Sequence, residues 1–302
     1  MKKTLIALLC TLLALTAACA LADGVAVTDM YGREVALDAP VTRVVALTPS
    51  DCEILCALGG EELLVGRGKY CDYPESILGL PVVQSGADTN IEEILALEPQ
   101  VVLMSDMSQT QEQAELLEKN GVRVVISDAE DVAGVYTAIR MIGALTGLGD
   151  AAEALVGDMQ ATFDRVAASS ESTGRTVYFE VSPLQYGLWT AGSHTFMDEL
   201  ATICGLRNAF ADVEGWSAIS EEQVLARDPD YIVTITMYYG EGPTPVEEIV
   251  SRPGWESLKA VKNGCVYNAD SNAISRPGPR LKDAALELYN FVNGLEEDAP
   301  AA

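Results

Sequence analysis

The chain carries few of the groups that make and break covalent bonds. His194, in the loop WTAGSHT, is its single histidine. Any Ser-His or Cys-His dyad would have to use it, and nothing near it in sequence would orient its ring. G-x-S-x-G, H-E-x-x-H and G-x-x-x-x-G-K-[ST] do not occur, and GRGK at residues 66–69 is too short and wrongly flanked for a phosphate loop. The cysteines lack the grouped C-x-x-C spacing of an all-thiolate metal site. These residues point to binding without turnover, not to an enzyme.

One piece of grammar occurs twice. Residues 90–104 read NIEEILALEPQVVLM and residues 220–234 read SEEQVLARDPDYIVT. Asn90 and Ser220 are N-cap residues, and Glu93 and Gln223 lie three places on, where a capping-box side chain reaches back. Glu92 and Glu222 occupy the first turn of each helix, where a carboxylate favours the macrodipole by a few tenths to about 1 kcal/mol. Each helix ends before a proline, Pro99 or Pro229, and runs into an apolar β-forming segment. A helix–strand unit used twice implies two lobes of similar construction.

The elements around these units alternate. VAVTDMYGREVALD reads as a hairpin turning at Tyr31-Gly32-Arg33. RVVALTPSDCEILCALG reads as a strand from Val44 to Leu47, a turn, and a helix through Leu58. Short strands and helices then succeed one another, which predicts parallel sheets with helices on both faces. No strand is expected between Asp131 and Ser172. There Leu155, Met159, Phe163 and Val166 recur at helical spacing and predict one long amphipathic helix. The fold class is therefore α/β: two Rossmann-like lobes with largely parallel sheets, at 25–147 and 173–295, joined by a bridging helix at 148–172. The polar residues 296–302 are expected to form a disordered tail.

Residues 1–22 read as an export signal, with Lys2 and Lys3 before an apolar run. Ala20-Leu21-Ala22 is a cleavage site, and Thr16-Ala17-Ala18-Cys19 is a lipobox-like alternative in which Cys19 carries a lipid. Either places the protein outside the cytoplasmic membrane, lipid-anchored or periplasmic and secreted. The balance is acidic, with 45 Asp and Glu against 19 Lys and Arg, and removing Lys2 and Lys3 takes the formal charge from −26 to −28. Such a surface repels nucleic acid and anionic lipid and keeps the chain soluble. Among Cys52, Cys56, Cys71, Cys204 and Cys265, Cys52 and Cys56 share a helix face that suits packing better than a disulfide.

Eight segments, in order, resemble the substrate-binding proteins of ABC importers for ferric siderophores, cobalamin or haem. They are TDMYGREV, RVVALTPSDCEILCALG, VGRGKYCDYPE, NIEEILALEPQVVL, AEALVGDMQATFDRV, SEEQVLARDPDYIV, GWESLKAVKNGCVY and SRPGPRLKDA, spanning about Thr28 to Val292. The resemblance implies a monomer of two α/β lobes that needs no cofactor and serves a permease dimer with its ATPase. It makes Glu92 and Glu222 the residues that dock onto permease arginines. It puts the ligand between the lobes, where loops at the carboxyl ends of strands converge.

The first-lobe candidates are Thr48, Pro49, Ser50 and Asp51, with Tyr70, Tyr73 and the turn Ser105-Asp106-Met107. The second-lobe candidates are Trp189, Trp216, Tyr238, Tyr239 and Arg276. The family places an arginine facing ligand at Arg276, within SRPGPR, and Arg280 is read as structural. Rings give a flat or bulky ligand large contact area at low conformational cost, although core packing is the ordinary role of any single ring. A guanidinium binds phosphate, carboxylate or catecholate.

The ligand expected is a metal chelate or a corrinoid. Corrinoid binders of the family often carry a tryptophan before the first docking helix, where this chain has SGADTN. Tyr70-Cys71-Asp72-Tyr73 resembles their motif. Haem, the alternative, requires an axial Tyr or His194. Free zinc or manganese is not expected, because the related receptors use several histidines. An exported sensor without a transporter is the remaining alternative.

Overall fold

Alternating residues of the central strands serve two different cores. In the computed structural model, which describes residues 24–105 and 109–295, Val44, Ala46, Val101, Leu103 and Val125 face one apolar cluster. Val45, Leu47, Val102, Met104, Val124 and Ile126 face another. That period of two, apolar on both sides, is the signature of a sheet covered on both faces. The export segment 1–22 with Cys19, the turn residues Asp106 and Met107, and the tail 296–302 lie outside the described residues.

The first lobe opens with a hairpin, β1 (Val25–Thr28) and β2 (Glu34–Leu37), paired antiparallel. Its sheet contains β3 (Val44–Ala46), β4 (Leu64–Gly68), β5 (Val82–Val83), β6 (Val101–Met104) and β7 (Arg123–Ile126). The order is β5-β4-β3-β6-β7 and every pairing is parallel. The strand order reverses between β3 and β6. This is the point at which open α/β sheets leave a crevice beyond their carboxyl ends. The helices are α1 (Pro49–Ala57), α2 (Ile91–Ala96), α3 (Gln111–Lys119) and α4 (Val132–Thr146).

Gly147 ends α4 in the left-handed region at φ 73°, and the Leu148 N–H donates to the Gly143 carbonyl at 2.7 Å. This Schellman arrangement stops one helix and starts the next. The bridging helix α5 then runs Gly149–Ser169, 21 residues, roughly 30 Å. Its buried face is Ala152, Val156, Met159, Thr162, Phe163 and Val166. Leu155, expected on that face, is only partly buried at its edge.

The second lobe contains β8 (Thr176–Ser182), β9 (Trp189–Ala191), β10 (Arg207–Asn208), β11 (Trp216–Ala218), β12 (Tyr231–Thr234) and β13 (Val266–Asn268). Its helices are α6 (Phe196–Ile203), α7 (Glu221–Arg227), α8 (Pro245–Ser251), α9 (Lys259–Lys262), α10 (Ser271–Ser275) and α11 (Leu281–Asn293). The order is β11-β9-β8-β12-β13, with β10 also on β8. This sheet is mixed rather than largely parallel, since β9 runs antiparallel to β8 and β11 antiparallel to β9. The short Pro183–Leu188 connection is the cause: a parallel crossover needs a dozen or more residues, whereas a hairpin needs few.

A single apolar cluster joins the lobes. It takes in Val44 and Leu103 of the first, Met159 and Phe163 of α5, and Phe179, Leu281 and Leu288 of the second. The bridge is thus part of the core, packed on α4 on one side and on α6 and α11 on the other.

Candidate functional site

The first-lobe site is made by chain leaving its strands. Thr48, extended at φ −111°, is the N-cap of α1, and Pro49 fills the first turn, where its missing N–H costs nothing. The Thr48 hydroxyl donates to Asp51 Oδ2. Asp51 is fully buried, and desolvation pushes its carboxyl pKa up to about 7 against the lowering effect of hydrogen bonds from Thr48 and Ser127. Its other oxygen, Oδ1, has no hydrogen-bond partner among the described residues.

A cavity of about 220 Å³ opens above this point. Its wall comes from residues just past the first-lobe strands: Thr48, Pro49 and Ser50 after β3, Tyr70 after β4, Ser85 and Gly86 after β5. Ser105 comes after β6, and Ser127, Asp128 and Ala129 after β7. The second lobe closes it with Ser275, Arg276 and Pro277. Of the residues expected at the ligand, the structure therefore brings Thr48, Pro49, Ser50, Tyr70, Ser105 and Arg276 around one inter-lobe space.

Arg276 does not face that space unpartnered. It donates to Glu53 Oε1 at 2.9 Å, to Asp72 Oδ1 at 2.7 Å and to the Tyr70 carbonyl at 3.3 Å. Arg280 grips Glu53 through both oxygens, at 2.8 and 2.7 Å, and stacks over the Tyr73 ring at 4.2 Å. Burial opposes the charge of Arg276, and the carboxylates of Asp72 and Glu53 more than offset it. Tyr73 thus belongs to the inter-lobe charge cluster. Glu53 and Asp72 were not singled out from the sequence, although one signal was available. Two acids, Asp51 and Glu53, in the otherwise apolar helix PSDCEILCA require buried partners.

The remaining aromatics lie elsewhere. Tyr238 and Tyr239 come after β12 beside a second cavity of about 380 Å³, with Leu184, Glu241 and Glu248. Trp189 and Trp216 stand on one face of the β9–β11 ribbon in diagonal register, and Trp216 tilts against buried Phe196 at 5.2 Å. His194 is an exposed turn residue at φ 62°. Cys52 and Cys71 are buried, and each thiol lies 3.8 Å from the Ala46 carbonyl. Their mutual contact, then burial, raises the Cys52 pKa well above its usual value. All five cysteines in the described residues are free thiols.

Glu92 and Glu222 are exposed in the first turns of α2 and α7. Ser220 and Gln223 complete a capping box, and the hydrogen bond with Ser220 helps hold the Glu222 carboxyl below its usual range. The expected partner box at Asn90 is half made. Asn90 accepts from the Glu93 N–H, but the Glu93 carboxylate accepts from the Gln84 N–H, because the Asn90 N–H is already bound to the Gln84 carbonyl. Among the described residues no helix is long and apolar enough to cross a membrane, and no cluster of three or more His, Cys, Asp or Glu forms a metal site.

Comparison with known proteins agrees with this architecture. The model of the periplasmic binding protein family matches residues 44–273. The chain is 31% identical over 275 residues to an uncharacterized ABC transporter substrate-binding lipoprotein (YvrC) of Bacillus subtilis, covering 89% of this chain and 85% of that one. It is 27% identical over 266 residues to a vitamin B12-binding protein of Pectobacterium carotovorum, covering 86% and 91%. Among solved structures, a possible iron-binding (periplasmic solute-binding) protein from Staphylococcus epidermidis superposes with a TM-score of 0.71. The identity is 29%, with 83% of this chain and 98% of that one covered.

Proposed function

Since this chain belongs to the periplasmic binding protein family, we propose that it captures a ferric siderophore or a corrinoid between its lobes and delivers it to an ABC importer. Its family consists of extracytoplasmic substrate-binding transport proteins, not enzymes. The observation that carries the ligand reading is the inter-lobe cavity, lined by the carboxyl ends of every strand of one sheet and closed by Arg276 of the other lobe. The B12-binding and possible iron-binding relatives support the ligand class. Glu92 and Glu222 serve as the docking carboxylates, one per lobe, and the importer's permease dimer and ATPase are the partners. Cys19 carries the anchor if the chain is processed as a lipoprotein; otherwise cleavage near Ala22 releases it.

Two measurements test this. Tryptophan quenching or calorimetry against siderophores, corrinoids and haem is expected to find one ligand at micromolar or tighter affinity. Silence across that panel with tight binding of a sugar or amino acid overturns the reading. Reversing both docking charges, Glu92→Lys with Glu222→Lys, should leave ligand affinity unchanged and abolish ligand-dependent growth with the cognate permease. Breaking a desolvated interfacial charge pair costs about 2–5 kcal/mol, and like charges add to it. Normal growth of the double variant would reduce both residues to helix-start carboxylates.

A further inference from the structure

We infer that the cleft selects chelates or corrinoids carrying no net negative charge and disfavours polyanionic ones, a narrowing that rests on the proposed function. A guanidinium in a binding cleft ordinarily announces an anionic ligand. Here that charge is already taken. Arg276, the one cation lining the cavity among the described residues, is held by Glu53 and Asp72. Its neighbour Arg280 holds Glu53 and lies 3.8 Å from Asp270. Three carboxylates thus surround two guanidiniums. Lys69 is exposed and lies over the Tyr70 ring.

An anion entering this space would have to draw Arg276 away from Asp72 and from Glu53, which is only 2% exposed and would be left to Arg280 alone. The rest of the wall offers neutral hydroxyls, from Thr48, Ser50, Ser85, Ser105 and Ser127. These match amide or hydroxamate oxygens and amide N–H groups. The second lobe offers no free cation in compensation at its own cavity among the described residues, where Glu241 borders the space beside Tyr238 and Tyr239 and Glu248 is held by Arg252. The formal charge of −26 gives the whole molecule the same bias at long range. The shared chemistry of the favoured ligands is a bulky, uncharged complex with amide or hydroxamate polar groups, met both in ferric trihydroxamates and in corrinoids.

Calorimetry on the purified protein with four probes tests this: cyanocobalamin and ferrichrome, both neutral, and haem and ferric enterobactin, both anionic. One neutral probe should bind at least about ten-fold tighter than either anion, and which one it is separates corrinoid from hydroxamate. Asp72→Asn supplies a second reading that does not endanger the fold, because the Asp72 side chain is 49% exposed. Removing that charge should shift the anion-to-neutral affinity ratio towards the anions by roughly five-fold. If haem or ferric enterobactin binds as tightly as the neutral probes, or tighter, the charge inference falls while the proposed function stands. If all four are silent, the inference falls, and the proposed function falls with it where a sugar or amino acid binds tightly instead.

Discussion

At Asp51 a fully buried carboxyl group stands behind the cleft wall, and burial lifts its pKa from 3.8 to about 7. Between those values the folded chain keeps a proton that the unfolded chain releases, so stability falls as pH rises through this window. At ~1.4 kcal/mol per factor of ten, the loss is on the order of 4 kcal/mol. Asp51→Asn, neutral at every pH, should therefore melt above the wild type at pH 8, by a margin that shrinks steadily as pH falls towards 4. A difference independent of pH would show that Asp51 is not the titrating group. A second buried charge acts structurally. Arg252, 2% exposed, makes hydrogen bonds of 2.6 and 2.9 Å to Glu180, itself 1% exposed. Arg252→Ala strands that carboxylate and is expected to cost about 3–5 kcal/mol in urea unfolding. The Arg252–Glu180 pair was not legible in the sequence, because the two residues lie 72 positions apart along the chain and meet only in the folded lobe.

Among the elements, the bridging helix was the most legible, since the helical spacing of its apolar residues is local. Expected at 148–172, it is observed at Gly149–Ser169. The duplicated helices α2 and α7 were equally readable through Asn90 and Ser220. The short strands β9 and β11, WTA and WSA, were not read, because they lack the continuous apolar run that marks β3 and owe their conformation to pairing. Phe163 on α5 lies in the cluster shared by both lobes. Phe163→Ala is expected to lose about 3–5 kcal/mol while the two lobes still unfold in one transition, read by calorimetry. Separate transitions for the lobes would mean that the bridge does not couple them.

For the whole molecule, the continuous apolar cluster and the stiff bridge limit how far the lobes can swing. X-ray scattering should give nearly the same radius of gyration with and without ligand. A large compaction on binding would require the α4–α5–α11 packing to open. The inter-lobe ion cluster of Glu53, Asp72, Arg276 and Arg280 acts in the same direction, bonding the lobes across the cleft without a covalent link.

Features set by neighbours along the chain were determined by the sequence alone. Helix caps, the α/β alternation, the two-lobe plan and the placement of Thr48, Tyr70 and Ser105 at strand ends depend on interactions within a few residues or on periodic burial. Features that need distant segments to meet were decided only by the tertiary structure. The antiparallel half of the second sheet is set by which strand the short Pro183–Leu188 connection returns to. The pairing of Arg276 with Glu53 joins residues 223 positions apart, and it turns an apparent anion site into a neutralised one. Desolvation and charge pairing act through space, so a linear reading can name Arg276 as a ligand contact but cannot tell what already holds its charge.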